Sequence, residues 1–329
     1  MAARGATGGV RLHIVTGKGG TGKTTVAAAL ALALSGGGRQ VLLTEVEGRQ
    51  GIAQLFDCPP LPYEERKVAV GPDGGDVYAL AVDPEAALLE YLEMYYRLGR
   101  AGKGLKRLGA VDFATTVAPG LRDVLLTGKV YEAVRRSARG TPVYDAVVMD
   151  APPTGRIARF LNVNAEVAGL ARVGPIRGQA DSIMSVLRSP RTAVHLVTVL
   201  EEMPVQETID GVAALAAIDL PVGGVVVNMV RPPLLPRAAL TGAGRGTLDR
   251  ADVVAGLHAA GVTAHVEKIT DALLAEAAEH ARRVKLERRE RRALAALDRP
   301  TWELPLVTDG IDLGALYQLA SHLVERGAV

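Results

Sequence analysis

Residues Gly17-Lys18-Gly19-Gly20-Thr21-Gly22-Lys23-Thr24-Thr25 satisfy G-x-x-x-x-G-K-[ST], and no other stretch restricts the fold as tightly. Glycine lets a run of backbone N–H groups curl around phosphate oxygens without a Cβ in the way. The pattern needs a strand before it and a helix after it. Leu12-His13-Ile14-Val15 reads as a short buried strand, and the apolar run that follows Lys23 predicts a helix to Leu34. The helix would add the positive end of its dipole to the loop. Lys23 would offset phosphate charge, Thr24 would offer its hydroxyl to Mg²⁺, and the loop from Gly17 to Thr25 would cradle ATP.

The rest of the chain extends this beginning into an alternating pattern. Val41–Leu43, Val77–Val82, Val143–Met149, Ala193–Val199 and Val222–Val227 read as strands, with helical patterns between most of them. That predicts an α/β fold, a mostly parallel sheet flanked by helices on both faces, with one domain over 10–329. Residues 84–136 and 162–190 break the rhythm and predict a helical insertion subdomain, with Leu88, Leu92, Tyr95 and Tyr96 turned inward. Residues 1–9 are expected to be a flexible N-terminus. Arg231–Arg250, rich in proline and glycine, reads as a loop; Ile269–Leu297 reads as one long helix and Leu313–Val324 as a closing helix.

Composition narrows the function by exclusion. Net charge is +2 and aromatics are 4%, so neither a global field nor a base-stacking platform points to nucleic acid. Cys58 is the single cysteine, which rules out an intrachain disulfide and fits a reducing, cytoplasmic compartment. No apolar run reaches the ~18 residues of a membrane span. The basic run Arg282, Arg283, Lys285, Arg288, Arg289, Arg291, Arg292 is interleaved with Glu287 and Glu290 and reads as a solvated helix face. The six histidines show no metal-ligand spacing and read as structural.

Acidic residues complete the candidate site. Val147-Val148-Met149-Asp150 is an apolar strand ending in a carboxylate suited to Mg²⁺, and the stiff turn Asp150-Ala151-Pro152-Pro153-Thr154-Gly155-Arg156 could sense a γ-phosphate. Glu45 and Glu47 end the second strand at i and i+2, which places them on one side, and one of them could take a proton from an attacking water. Lys18 is outside the general pattern and sits too early to follow the helix. It could reach the phosphates of another subunit, as an arginine finger does.

Lys18-Gly19-Gly20-Thr21-Gly22-Lys23-Thr24 resembles the deviant phosphate loop shared by partition ATPases, division-site-positioning ATPases, nitrogenase iron proteins and arsenite-efflux ATPases. Asp150, Pro153, Thr154, Gly155, Arg159, Phe160 and Leu161 select a branch. They match the Asp-Thr-Ala-Pro-Thr-Gly-x-x-x-Arg-Phe-Leu segment of the arsenite-efflux (ArsA-like) and tail-anchored-protein targeting ATPases. Ala118-Pro119-Gly120 resembles the start of the family's insertion helix, Val225–Asn228 its adenine-reading strand end and Leu304-Pro305-Leu306 its late nucleotide-lining loop.

This resemblance, over roughly residues 11–325, implies an ATP-hydrolysing dimeric switch in a bacterial branch with paired paralogous chains. Lys18 would act in trans, and Asn228 and Pro305 would contact adenine. The partner would be a second copy or a paralogous ATPase chain. A client protein or membrane component would follow, in anion transport or membrane-protein targeting. Glu47 falls where the family has its switch aspartate, which implies slow turnover because one extra methylene moves the base by about 1 Å. The family's cysteine sites are missing, so metalloid capture by a cysteine cluster and a shared zinc are both excluded. Met94 and Met184 are the methionines of the expected insertion, too few for a methionine-rich client groove. A DNA-partition ATPase and a weakly active regulatory subunit are the alternatives.

Overall fold

Apolar residues alternate along the first strand, β1 (Leu12–Gly17), and this alternation sorts the whole molecule into layers. Leu12 and Ile14 face one cluster of core side chains, whereas Val15 faces another. The computed structural model describes residues 9–96, 119–170 and 175–329. Within them, one sheet is built from β1, β2 (Gln40–Glu45), β3 (Arg66–Val70), β4 (Asp76–Ala81), β7 (Ala146–Asp150), β8 (Thr192–Thr198), β9 (Val222–Val230) and β10 (Thr301–Pro305). A small hairpin of β5 (Ser137–Ala138) and β6 (Thr141–Pro142) lies outside it. The order across the sheet is β10-β9-β8-β1-β7-β2-β4-β3. Every neighbouring pair is parallel except β3 with β4.

The expected parallel sheet is therefore present, with an antiparallel edge strand added. β3 was not visible in the sequence because Arg66 and Lys67 are exposed and only Ala69 is buried, so it lacks the pattern of a buried strand. The strand expected at 143–149 begins later, at Ala146. β10 also escaped the strand reading: Trp302 and Leu304 alternate inward, but the run is short and ends in proline.

Helix α1 (Lys23–Leu34) has the predicted bounds. It is apolar all round, Ala and Leu throughout, and from Val26 to Leu34 every residue is buried. Such a helix can only lie inside. It is clamped between the sheet and α11 (Leu313–Glu325), whose Leu316, Leu319 and Leu323 share its core cluster. Its C-terminus is set by Ser35, whose hydroxyl donates to the Leu32 carbonyl (2.8 Å), before Gly36-Gly37-Gly38 ends the helix. Leu32 is fully buried, and Leu32→Ala would cost about 2–5 kcal/mol.

The other face carries α4 (Pro119–Arg135), α5 (Thr154–Leu170), α6 (Pro175–Leu187) and α7 (Glu202–Ala216). Phe160, Ile157, Leu161, Ile183, Leu126 and Leu215 fill the cluster against Leu12, Ile14 and Val147. The short α2 (Gly51–Leu55) follows β2, and α3 (Pro84–Tyr96) packs on α4 through Ala87, Leu88 and Leu125. Leu88 is buried, as expected; the side chains of Leu92, Met94, Tyr95 and Tyr96, the residue Ala118 and residues 1–8 lie outside the described residues.

The segment expected to be a loop over 231–250 instead contains α8 (Arg237–Arg245) and leads into α9 (Arg250–Ala259). Its glycines suggested a loop. Burial of Leu240 and Ala243 against Ala281 and Val284 of α10 (Val266–Ala295) outweighs their poor helix propensity. α10 is the expected long helix. Among the described residues, no helix is long and apolar enough to cross a membrane.

Candidate functional site

Strand β1 is the central strand around which connections diverge, with β8 on one side and β7 on the other. In open α/β sheets the crevice beyond the carboxyl ends of such strands receives the ligand. Gly17 closes β1 there and Gly22 stands before α1 with φ 83°. Both positions require glycine. A Cβ on Gly17 would stand 2.2 Å from the Val197 carbonyl oxygen, and one on Gly22 would stand 2.4 Å from Asn228 Nδ2. The loop is braced from within by Thr21 Oγ1 donating to the Lys18 carbonyl (2.8 Å). Asn228 Nδ2 braces it from outside, donating to the Thr21 carbonyl (2.9 Å). No side chain caps the N-terminus of α1, so its leading N–H groups are left for an anion.

Lys23 is 8% exposed and makes no ion pair among the described residues. A nearly buried ammonium that feels Asp150 but has no carboxylate at ion-pair distance is costly unless an anion completes it. Across the crevice, Thr24 Oγ1 donates to Asp150 Oδ2 (2.7 Å), while Asp150 Oδ1 is buried with no partner. Glu45 Oε1 and Thr154 Oγ1 are also buried and unpartnered, and the other Glu45 oxygen accepts from the Ile52 N–H at 3.2 Å. Burial pushes the Asp150 carboxyl up to about 6. Thr24 and Lys23 oppose that rise, and the charges of Glu45 and Glu47 add to it.

This orphaned, cation-hungry oxygen beside a hydroxyl fits Mg²⁺. Among the described residues no group of three or more His, Cys, Asp or Glu side chains could hold a metal by itself. Mg²⁺ takes one or two protein oxygens and completes its shell with phosphate and water. Thr24 and Asp150 are the residues that would hold it.

Four other expectations have distinct outcomes. The stiff turn after Asp150 is pinned to β1: Thr16 Oγ1 donates to the Pro152 carbonyl (2.7 Å) and the Ala151 N–H to the Val15 carbonyl (2.9 Å). Glu45 and Glu47 do not share one strand face, because β2 ends at Glu45 and two-residue alternation stops with it. Glu47 instead lies within 3.7 Å of Arg49. Lys18 is paired within its own chain, its Nζ 3.1 Å from Glu207 on α7. Pro305 ends β10 opposite Val230, which brings it to the same sheet end as Asn228.

Four residues at or near the site carried little or no signal in the sequence. Glu207 sits in an ordinary amphipathic helix. Met229 has φ 58°, and its Cε lies 3.5 Å from where a Gly22 Cβ would be. His13 and His195 form a fully buried pair beneath the loop, Nδ1 to Nε2 at 3.1 Å, with Trp302 beside His195. They come together only through the pairing of β1 with β8.

A phosphate loop at the switch point of a parallel sheet, with a free buried lysine and a threonine–aspartate pair, defines a nucleotide-hydrolase fold of the phosphate-loop class. Residues 10–189 match the model of the anion-transporting ATPase family. ATPase BagA of Mycobacterium tuberculosis is 56% identical over 97% of this chain and 94% of its own length. ATPase GET3 of Kluyveromyces lactis is 26% identical over 67% of this chain and 72% of its own. The arsenical pump-driving ATPase of Acidiphilium multivorum is 26% identical over 66% of this chain and 39% of its own. The chain belongs to the ArsA-like, anion-transporting ATPase family.

Proposed function

We propose that the chain binds Mg²⁺-ATP in this crevice and hydrolyses it, alternating between an ATP-bound closed dimer and an open state. The observation that carries the reading is Lys23, buried and without an ion partner beside the uncapped start of α1. The loop N–H groups from Gly17 to Thr25 would cradle the phosphates, with Lys23 on the β- and γ-oxygens. Mg²⁺, held by Thr24 and Asp150, supplies charge neutralisation on those oxygens when bound. Glu47 is the candidate base that orients the attacking water and accepts its proton. Asn228 and Pro305 would border the adenine, and Asn228 would relay its presence to the loop through Thr21.

In trans action by Lys18 requires release from Glu207, an exchange of one carboxylate for the phosphates of a facing subunit. The dimer partner is a second copy or a paralogous chain. Helices α3 and α4 are the part of the insertion that would report nucleotide state to a client protein or membrane component. A polar chain supports this. Lys129 of α4 meets Glu90 of α3 (2.8 Å), Arg136 after α4 meets Glu65 (2.7 Å), and Tyr144 before β7 donates to Glu65 (2.6 Å). β7 begins just after Tyr144 and ends in Asp150, so one strand runs from this polar chain to the site.

Lys23→Ala tests the reading by calorimetry with Mg²⁺-ATP. Loss of binding by at least about 100-fold with the fold retained is expected, since a desolvated charge pair is worth several kcal/mol. Unchanged binding and turnover would refute it. A second reading, a weakly active regulatory subunit, is favoured by Glu47 lying beyond the strand end against Arg49. Glu47→Asp separates the two: a gain in turnover marks a misplaced base, and no gain with a paralogous chain restoring activity marks a regulatory subunit.

A further inference from the structure

The basic run on α10 divides into two sets. Arg283 meets Glu287 (3.5 Å), Arg289 meets Glu290 (2.7 Å) and Arg291 meets Glu303 (2.6 Å), so these cations are offset by the protein's own acids, Arg289 at the groove itself. Arg282, Lys285, Arg288 and Arg292 are exposed and have no ion pair among the described residues. With about 100° per residue, the four fall within one arc of about 120°, spread over about 15 Å of helix. They border a groove of about 770 Å³ between α8 and α10. The groove's lining also includes Leu240, Ala281, Val284 and Leu286, and it shares no residue with the phosphate-loop site.

We propose that this groove docks an acidic amphipathic helix of a partner protein. Aliphatic side chains from the partner would pack on Leu286 and on the methylene stems of the row, above the buried Leu240 and Val284, and its carboxylates would meet Arg282, Lys285, Arg288 and Arg292. Charge complementarity selects the occupant's sign. Unpaired cations in one row favour an anionic partner and speed its approach. The aliphatic floor selects its chemistry. Leucine-type side chains spaced i, i+3 or i+4, i+7 fill such a floor, whereas a phosphodiester backbone would leave it dry and unfilled. Base stacking is excluded here too, because none of the groove-lining residues is aromatic.

The test uses the full chain and a synthetic helical peptide with leucine on one stripe and glutamate at i, i+4 and i+7 beside it, followed by fluorescence anisotropy. Binding is expected at ~0.1 M salt and should weaken severalfold at ~0.5 M. Lys285→Glu/Arg288→Glu/Arg292→Glu should weaken it by about tenfold or more. A peptide with lysine in place of glutamate should bind this variant better than the unaltered chain. Leu286→Asn should weaken the glutamate peptide at both salt concentrations. These positions are exposed or partly exposed, so ATP binding and circular dichroism should stay unchanged and show that the variants fold.

No measurable peptide binding, or equal binding to the unaltered chain and the triple variant, would overturn the proposal. Tighter groove-dependent binding of a DNA duplex or of vesicles containing phosphatidylserine would also overturn it. So would self-association, seen by sedimentation, that the triple variant abolishes.

Discussion

Acid should weaken this protein through the imidazole pair under its phosphate loop. His13 and His195 are fully buried, and burial holds both in the neutral form. For His195 the group is pushed down to about 4 from an ordinary value of 6.5; for His13 burial and the charge of His195 act in the same direction. An unfolded chain leaves the histidine at its ordinary value. Stability is therefore complete above about 6.5 and drains as the pH falls towards 4, because only the unfolded state takes up the proton. A gap of this size for His195 corresponds to about 2 kcal/mol lost at pH 5 and about 3 kcal/mol at pH 4.

Asp150, pushed up to about 6, works in the opposite direction between 6 and its ordinary 3.8. Its folded form takes up the proton first, so acid lowers the net cost and hides part of the histidine effect. A difference between two chains cancels it. Urea unfolding of the unaltered chain and of His195→Gln should be followed from pH 7 to pH 5. The variant should start less stable, having lost the 3.1 Å contact to His13, but lose about 2 kcal/mol less over that range. Parallel stability–pH curves would refute the claim that His195 is held neutral by burial.

Gly17→Ala drives a methyl group to 2.2 Å from the Val197 carbonyl, so the loop must move; ATP binding in calorimetry should fall at least tenfold, with about 1–3 kcal/mol of stability lost. Asp150→Asn removes a buried charge that lacks a partner on Oδ1. It should raise thermal stability without nucleotide while abolishing the Mg²⁺ dependence of ATP binding. Glu207→Gln frees Lys18 from a half-exposed pair worth at most about 1 kcal/mol. Melting should hardly change, while ATP-dependent dimerisation by sedimentation should strengthen. Asn228→Ala leaves the Thr21 carbonyl without its donor and should weaken ATP binding by roughly tenfold, measured by calorimetry at constant Mg²⁺.

What could be read from the sequence was local in origin. The bounds of α1 were legible because Gly22 precedes it, Ser35-Gly36-Gly37-Gly38 follows it, and every residue between is apolar or part of the loop motif. The phosphate loop was legible because fixed residue types at fixed offsets create it, and Asp150 because it ends an apolar strand; that Thr24 and Asp150 meet depends on β1 pairing with β7. Glu47 shows where that logic ends: its side follows from a strand that stops two residues earlier. α8 was hidden because Gly242 and Gly244 weigh against a helix, and only its packing on α10 reverses the balance. The His13–His195 pair and the Lys18–Glu207 contact depend on register and helix placement between distant segments, which no local pattern encodes.

The position of β1 at the middle of the sheet also orders events during synthesis. The loop is near the start of the chain, yet β1 pairs with β7 from Val147 and with β8 from Thr192. A nascent chain that has just released the motif from the ribosome has no wall for Gly17 and no carboxylate for Thr24. The Asp150 contact can close only after β7 has emerged and the Val197 wall only after β8, and long-range parallel pairings of this kind form slowly. The nucleotide thus cannot template the early chain. A ligand of this crevice can only select molecules whose central strands have already met.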